Sequence, residues 1–279
     1  MMKYVMYNPL SGKGKGKAVA EKYAAAQSVK TQLLDMTQIK NYAELFKSFE
    51  KEDDVVIFGG DGTLNRFANE IADIEIKNNI YYHPSGTGND FALDVGMADA
   101  KEPFLINEYL KNLPFVTVNG TTLHFINGIG YGIDGYCCAV GDKLREENKK
   151  IDYTAIAIKG LLFHHKPSNA TVVVDGVEHT FEKVWIAPTM IGRHYGGGMM
   201  PTPNQKRDSG ELSVMLFHGT GRIKTLMIFP SIFKGTHIEH KKNITVLTGK
   251  TITVKYDKPT FLQVDGETFY DVTEYTAQI

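Results

Sequence analysis

Val55-Val56-Ile57-Phe58-Gly59-Gly60-Asp61-Gly62-Thr63-Leu64-Asn65-Arg66-Phe67-Ala68 is the stretch on which the fold turns. Its first four residues are β-branched or aromatic and read as a buried strand, Val55–Phe58. Gly59 and Gly60 end that strand, and the pattern predicts a helix over Asn65–Ile71. Gly59–Leu64 is therefore expected to be a glycine loop between a strand and a helix. Such a loop exposes backbone N–H groups beside a helix N-terminus, an arrangement that suits phosphate oxygens. Asp61 sits in its middle, where a carboxylate repels a bare phosphate and so calls for a Mg²⁺ or a proton to handle. The same residues also read as an ordinary strand-to-helix turn with Asp61 and Thr63 capping the helix. The loop alone does not decide between the two.

The chain of 279 residues is 42% hydrophobic and 23% charged, enough to bury cores in more than one domain. A net charge of -1, from 31 Lys+Arg against 32 Asp+Glu, gives no electrostatic case for nucleic acid or for strong attraction to an anionic membrane. Cys137 and Cys138 are adjacent, which disfavours an ordinary disulfide and fits a reducing cytosol. The opening Met-Met-Lys-Tyr is too short and polar for a signal peptide, and no run reaches the roughly 18 apolar residues of a membrane span. A cytoplasmic protein is expected.

Outward from the glycine loop, strands alternate with helices up to about residue 112. Tyr4–Tyr7 runs into Asn8-Pro9-Leu10-Ser11-Gly12 and then a Gly/Lys stretch. Lys30–Asp35 ends at Thr37, and Ile80–His83 ends at Ser85-Gly86-Thr87-Gly88-Asn89-Asp90. This alternation predicts βαβ units and a parallel sheet, whose ligand lies off the carboxyl ends of the strands. The turns Asn8–Gly12, Thr37, Gly59–Thr63 and Ser85–Asp90 all fall at such ends. The lysines of Lys13-Gly14-Lys15-Gly16-Lys17 read as a solvated basic turn, so Asn8 and Ser11 are the better ligand candidates there. From Phe115 onward short β-type runs dominate, including Thr121–Ile126, Val184–Ala187, Thr251–Tyr256 and Phe261–Val264, with Asn-Gly and Asp-Gly turns between them. The second half is expected to be an antiparallel, sandwich-like domain interrupted by helices at Ala139–Lys149 and Tyr153–His165.

Gly59-Gly60-Asp61-Gly62-Thr63-Leu64-Asn65 followed by Gly86-Thr87-Gly88-Asn89-Asp90-Phe91-Ala92 resembles the diacylglycerol kinase catalytic domain family, which includes bacterial lipid kinases and the sphingosine and ceramide kinases. Asn8-Pro9-Leu10-Ser11-Gly12, Asn127–Asp134, Gly192–Met199 and Asp265-Gly266-Glu267 match further motifs of that family in the same order. The resemblance implies an NAD-kinase-like α/β domain over 1–113 and a β-rich domain over 114–279, the last residues returning to the first, with the active site in the cleft between. It implies ATP as donor, Mg²⁺ as cofactor, a lipid hydroxyl as acceptor, a place in phospholipid biosynthesis and a protein peripheral to the membrane during turnover. The nucleotide side would comprise Asn8, Pro9, Ser11, Gly12, Thr37, Gly59, Gly60, Gly62, Thr63, Leu64, Asn65, Gly86, Thr87 and Asn89. Glu267 would accept the proton from the lipid hydroxyl, and Asp61 would be catalytic and metal-handling. The resemblance also places lipid entry near the Tyr153–Phe163 helix, so membrane contact is expected at Leu161, Leu162, Phe163 and Met199. A homodimer is left open.

Two departures from the family pattern stand out. Bacterial members carry a structural Mg²⁺ around an Asn-Asp-Gly motif; here the place reads Lys206-Arg207-Asp208-Ser209-Gly210-Glu211. The site is expected to be weak or lost, or to use Asp208 or Glu211. Arg66 stands where the family has a glutamate and reads as solvent-facing, with phosphate contact as the alternative. The other functions kept open are a kinase of a non-lipid hydroxyl such as NAD and a non-catalytic nucleotide-binding regulator.

Overall fold

Asp54–Gly59 is buried along its whole length, as the central strand of a parallel sheet must be. The computed structural model describes residues 1–279, the side chain of Lys13 excepted. The chain divides into two compact units, Met1–Leu113 and Pro114–Ile279.

The first unit runs β1 (Lys3–Tyr7), α1 (Ser11–Gly14), α2 (Gly16–Ala25), β2 (Thr31–Asp35), α3 (Tyr42–Lys47), β3 (Asp54–Gly59), α4 (Asp61–Glu70), β4 (Asn79–Pro84), α5 (Asp90–Asp94) and β5 (Phe104–Leu105). The sheet order is β2-β1-β3-β4-β5, with every pairing parallel except β4 with β5. One face of the sheet, Val5, Tyr7, Val56 and Phe58, packs on Ala20 of α2. On the other face Tyr4 stacks on Phe49 with ring centroids 3.7 Å apart. In α4 the residues Thr63, Leu64, Phe67 and Ala68 are buried, the spacing of one helical face.

The helix after the glycines begins earlier than the sequence pattern predicts. Gly60 is its N-cap, in extended backbone with φ -96° and ψ -172°, and Asp61 is already helical. The amides of Thr63 and Leu64 both donate to the Gly60 carbonyl, at 3.0 and 3.1 Å. What reads as a loop of several residues is therefore a hinge of one.

The second unit runs β6 (Phe115–Val118), β7 (Thr121–His124), β8 (Gly128–Tyr131), α6 (Ile133–Glu146), α7 (Tyr153–Lys159) with a π turn at Gly160–His164, β9 (Ser168–Val174), β10 (Val177–Val184), β11 (Thr189–Met190), β12 (Leu212–Phe217), α8 (Arg222–Ile228), 3₁₀ turns at Phe229–Lys234 and Thr236–Glu239, β13 (Ile244–Gly249), β14 (Thr251–Val264) and β15 (Glu267–Gln278). The strands pair antiparallel in the order β13-β12-β11-β8-β14-β15-β6-β7, with β9 on β14 and β10 on β9. The 14-residue β14 organises this unit. Its Ile252–Tyr256 part pairs with β9, its Leu262–Val264 part with β8, and β15 follows it along the other side. The register shifts between Lys255 and Thr260, where Pro259 cannot donate to a ladder. The strand bends there, which is why the sequence reads it as two strands. β15 pairs with β14 and β6, in the sheet of the second unit.

Candidate active site

In the first unit the turns after β1, β3 and β4 interlock, and glycine is what permits it. A Cβ on Gly86 would lie 2.4 Å from the Gly60 Cα, and one on Gly12 would lie 2.7 Å from the Ser85 carbonyl oxygen. Gly12 also sits at φ +56°, the left-handed region that favours glycine. Gly59 is closed from below by Thr63, whose Cβ would be 2.4 Å from an added methyl group. Tyr82 Oη and Ser85 N both donate to the Gly59 carbonyl, at 3.0 and 2.8 Å.

Most polar side chains predicted on the nucleotide side hold these turns in shape. Asn8 Nδ2 donates to Thr63 Oγ1 at 3.3 Å, while its Oδ1 accepts the Leu10 amide at 2.9 Å. Ser11 Oγ donates to the Asn8 carbonyl at 2.9 Å, and Pro9 lies half-buried between them. Asn89, left-handed at φ +54°, clasps Gly86: its Oδ1 accepts the Gly86 amide at 3.0 Å and its Nδ2 donates to the Gly86 carbonyl at 3.2 Å. That clasp leaves Thr87 exposed at the tip of the turn. Asp61 links α4 to α5, its two carboxylate oxygens accepting the Asp90 and Phe91 amides at 3.0 and 2.9 Å.

Leu64 and Thr37 make their contacts within the protein, and Arg66 faces solvent as its sequence reading has it. Leu64 is fully buried and its amide donates to the Gly60 carbonyl, so its side chain serves the core. Thr37 is exposed, with its N–H and hydroxyl both on Asp35 Oδ1 at 2.9 and 2.7 Å. Arg66 is exposed, its Nε 3.9 Å from Glu70 one turn on.

Two features of this unit point to a ligand. A Cβ on Gly62 would meet open space, and its backbone does not require glycine, so the start of α4 is open to close approach. Ser85 Oγ is buried beside Gly12 without a hydrogen-bond partner. Buried hydroxyls are normally satisfied. Ser85 is a candidate that the motif reading leaves out.

In the second unit the motifs converge on the β14–β15 turn. Asp265, at φ +45°, accepts the amides of Ile126, Asn127 and Gly128 at 2.5, 3.1 and 3.0 Å. Arg207 donates to the Ile126 carbonyl and, at 3.4 Å, to Asn127 Oδ1. Gln263 then bridges two motifs, accepting the Gly266 amide on Oε1 at 2.7 Å and donating from Nε2 to Asp134 Oδ2 at 3.2 Å. Glu267 is exposed as the first residue of β15.

Asp134 is the titratable group here that the motif reading passes over. Gly130 admits it: a Cβ there would lie 1.6 Å from Asp134 Oδ2. A glycine four residues before an aspartate on a strand-to-helix turn is the signal that could have found it. Burial pushes its carboxyl from 3.8 up to about 6, partly opposed by Tyr195 and Gln263. The buried Tyr195 hydroxyl faces it without meeting hydrogen-bond geometry.

The first unit matches the family model described as the diacylglycerol kinase catalytic domain over residues 3–112. The second matches the model of the YegS C-terminal NAD kinase beta sandwich-like domain over residues 127–276. The chain belongs to the family that joins a diacylglycerol kinase catalytic domain to a YegS C-terminal domain. It is similar to a diacylglycerol kinase of Mycobacterium tuberculosis, 26% identical over 262 residues that cover 89% of this chain and 83% of that protein. A crystal structure of a diacylglycerol kinase from Bacillus anthracis shares the fold, with a TM-score of 0.62 and 20% identity over 99% of this chain and 93% of that one.

The structural magnesium implied by this kinase family does not fit the residues present. Gln205 is 7% exposed, and its Nε2 donates to the carbonyls of Glu211, Lys206 and Ile191 at 2.7, 3.1 and 3.4 Å and to Ser209 Oγ at 3.4 Å. Its Oε1 accepts Ser213 Oγ at 2.5 Å. A neutral amide thus satisfies the oxygens a cation would need, while Asp208 and Glu211 face solvent. Among the described residues no group of three or more His, Cys, Asp or Glu gathers to hold a metal. The unloaded kinase is therefore expected to melt at the same temperature in Mg²⁺ and in EDTA. Gln205→Ala should cost about 1–3 kcal/mol through the carbonyls it strands. A Mg²⁺-dependent rise in Tm of several degrees would restore the metal to this loop.

Asp134 and His165 impose opposite pH slopes on stability. Asp134 binds its proton more tightly folded than unfolded, so stability falls as pH rises through 3.8 to about 6. His165 is held neutral by burial, from 6.5 down to about 4, so stability is lost as pH falls through that window. Asp134→Asn should thus stabilise the protein at pH 7, by up to about 3 kcal/mol, and have little effect near pH 4. Urea unfolding at the two pH values checks this; an equal effect at both would contradict it.

Proposed function

We propose that this protein transfers the γ-phosphoryl group of ATP to the hydroxyl of a lipid, diacylglycerol or a related long-chain alcohol. The observation that carries the reading is the interlocking of three glycine turns at the carboxyl ends of β1, β3 and β4, left open at Gly62. Phosphoryl transfer asks for positioning and charge neutralisation more than for covalent chemistry by the protein. Amides at the start of α4 and the Ser85 hydroxyl would bind phosphate oxygens. Asp61 would fix the two helix starts around them while its charge faces the phosphates' counter-ion. Asp61 would be the protein carboxylate for a Mg²⁺ bound with ATP, which would supply neutralisation of the phosphate charge. Glu267 would take the hydroxyl proton as the new O–P bond forms and the bond to the ADP oxygen breaks. The reading implies transient contact with a membrane that holds the acceptor.

Incubation of the protein with a total lipid extract and γ-labelled ATP tests the proposal. Label is expected in the organic phase, in one lipid class. Label that stays wholly in water-soluble products, NAD phosphate among them, would overturn it.

A further inference from the structure

Two segments distant in sequence, Tyr153–Ser168 and Gly219–Ile238, form one surface of the second unit. α8 packs on the π turn, and Arg222 donates to the Leu161 carbonyl with its guanidinium 5.6 Å over the Trp185 ring. Trp185 is buried beneath and donates Nε1 to the Thr220 carbonyl at 3.0 Å. The platform is therefore fixed from below. Its outer face is apolar. Phe163 is 71% exposed, Ile223 68% and Met227 76%, with Ile158 and Phe233 each at 46%. These are five of the sixteen large apolar side chains exposed among the described residues. Ile223 and Met227 lie one turn apart on one side of α8. Monomers rarely leave so many together without a partner.

Charge names the partner. The two segments contain Lys159, Lys166, Arg222, Lys224 and Lys234 and not one Asp or Glu, in a chain whose net charge is -1. The nearest carboxylates in sequence, Asp152 and Glu239, fall just outside them. Exposed apolar side chains with exposed lysines in the same segments suit the boundary of a bilayer that carries anionic headgroups, the apolar groups entering and the ammonium groups staying among the phosphates. We propose that this face, Ile158–Lys166 with Arg222–Lys234, docks the protein on an anionic lipid bilayer. Two residues expected to insert do not belong to it: Leu161 is fully buried and Met199 is 7% exposed, and both serve the core. The proposal deepens the lipid-kinase reading and rests on it for its biological sense; vesicle binding, the measurement that decides it, does not depend on catalysis.

The full chain, without ATP or diacylglycerol, is sedimented with vesicles of equal parts phosphatidylcholine and phosphatidylglycerol, and with phosphatidylcholine alone. Binding to the anionic vesicles is expected, weakened severalfold but not abolished by moderate salt. Ile223→Ser/Met227→Ser, on exposed positions that leave the fold intact, should lose at least about tenfold in affinity. Lys224→Gln/Lys234→Gln should lose affinity on anionic vesicles only. The Ile223→Ser/Met227→Ser variant should phosphorylate a water-soluble short-chain diacylglycerol as the unaltered protein does. No vesicle binding, binding indifferent to both variants, or a dimer that the apolar variant dissociates would each overturn the proposal. Failure to phosphorylate any lipid while vesicle binding persists would overturn the kinase reading and leave the docking face standing.

Discussion

Glu267→Gln is expected to lower kcat by roughly 100- to 10,000-fold, the range that a positioned general base contributes. A primary lipid hydroxyl stays protonated near neutral pH and must shed its proton as the O–P bond forms. Glutamine keeps the size and hydrogen-bonding capacity of the side chain but cannot accept that proton. Glu267 is exposed at the first position of β15 and the Asp265 contacts fix the turn without it, so Tm should not change. ATP affinity should also be preserved, because the residues proposed for the nucleotide side lie outside this hairpin. Turnover and nucleotide titration on the same preparation separate the outcomes. A loss confined to ATP affinity would make Glu267 a nucleotide or metal contact and send the search for the base to Asp61 or Asp134.

Asp61→Asn is expected to cut turnover by more than about 100-fold, the scale for removing a charge-handling group at a phosphoryl site. It should not be silent for the fold. The two carboxylate oxygens accept two amides at the start of α5, and asparagine offers one oxygen to two donors. A loss of about 1–3 kcal/mol is expected alongside, read as a drop in Tm. The two effects are separable, because stability can be restored by cooling and chemistry cannot. Turnover within a few-fold of the unaltered protein at low temperature would reduce Asp61 to a helix cap.

The sequence makes the turns legible because glycine, asparagine and serine at strand ends have few other uses. It places Asn8–Gly12, Gly59–Thr63 and Ser85–Asp90 at the carboxyl ends of their strands, where the structure has them. It does not show that Asn8, Asn89 and Asp61 spend their side chains on the turns themselves, because that depends on which backbone groups lie opposite. The helix start at Asp61 is hidden because Gly60 caps it with backbone alone, leaving no polar cap signature. Strand β10 is hidden because Val177-Glu178-His179-Thr180-Phe181-Glu182-Lys183 is largely polar and takes its register from β9, with a bulge at Lys183, φ +53°. Asp134 and Gln263 meet across β14 and α6, 129 residues apart, which no local pattern reports. Likewise Gln205 looks like an ordinary loop residue until three carbonyls are seen around its amide.

The most direct measurement is transfer to a defined acceptor: γ-labelled ATP and Mg²⁺ with a purified diacylglycerol in mixed micelles, followed by counting of both products. The expected result is one labelled phosphatidate for each ADP formed, with the rate falling at least about 100-fold in Glu267→Gln. ADP formed without labelled phospholipid, or an equal rate in Glu267→Gln, would contradict it.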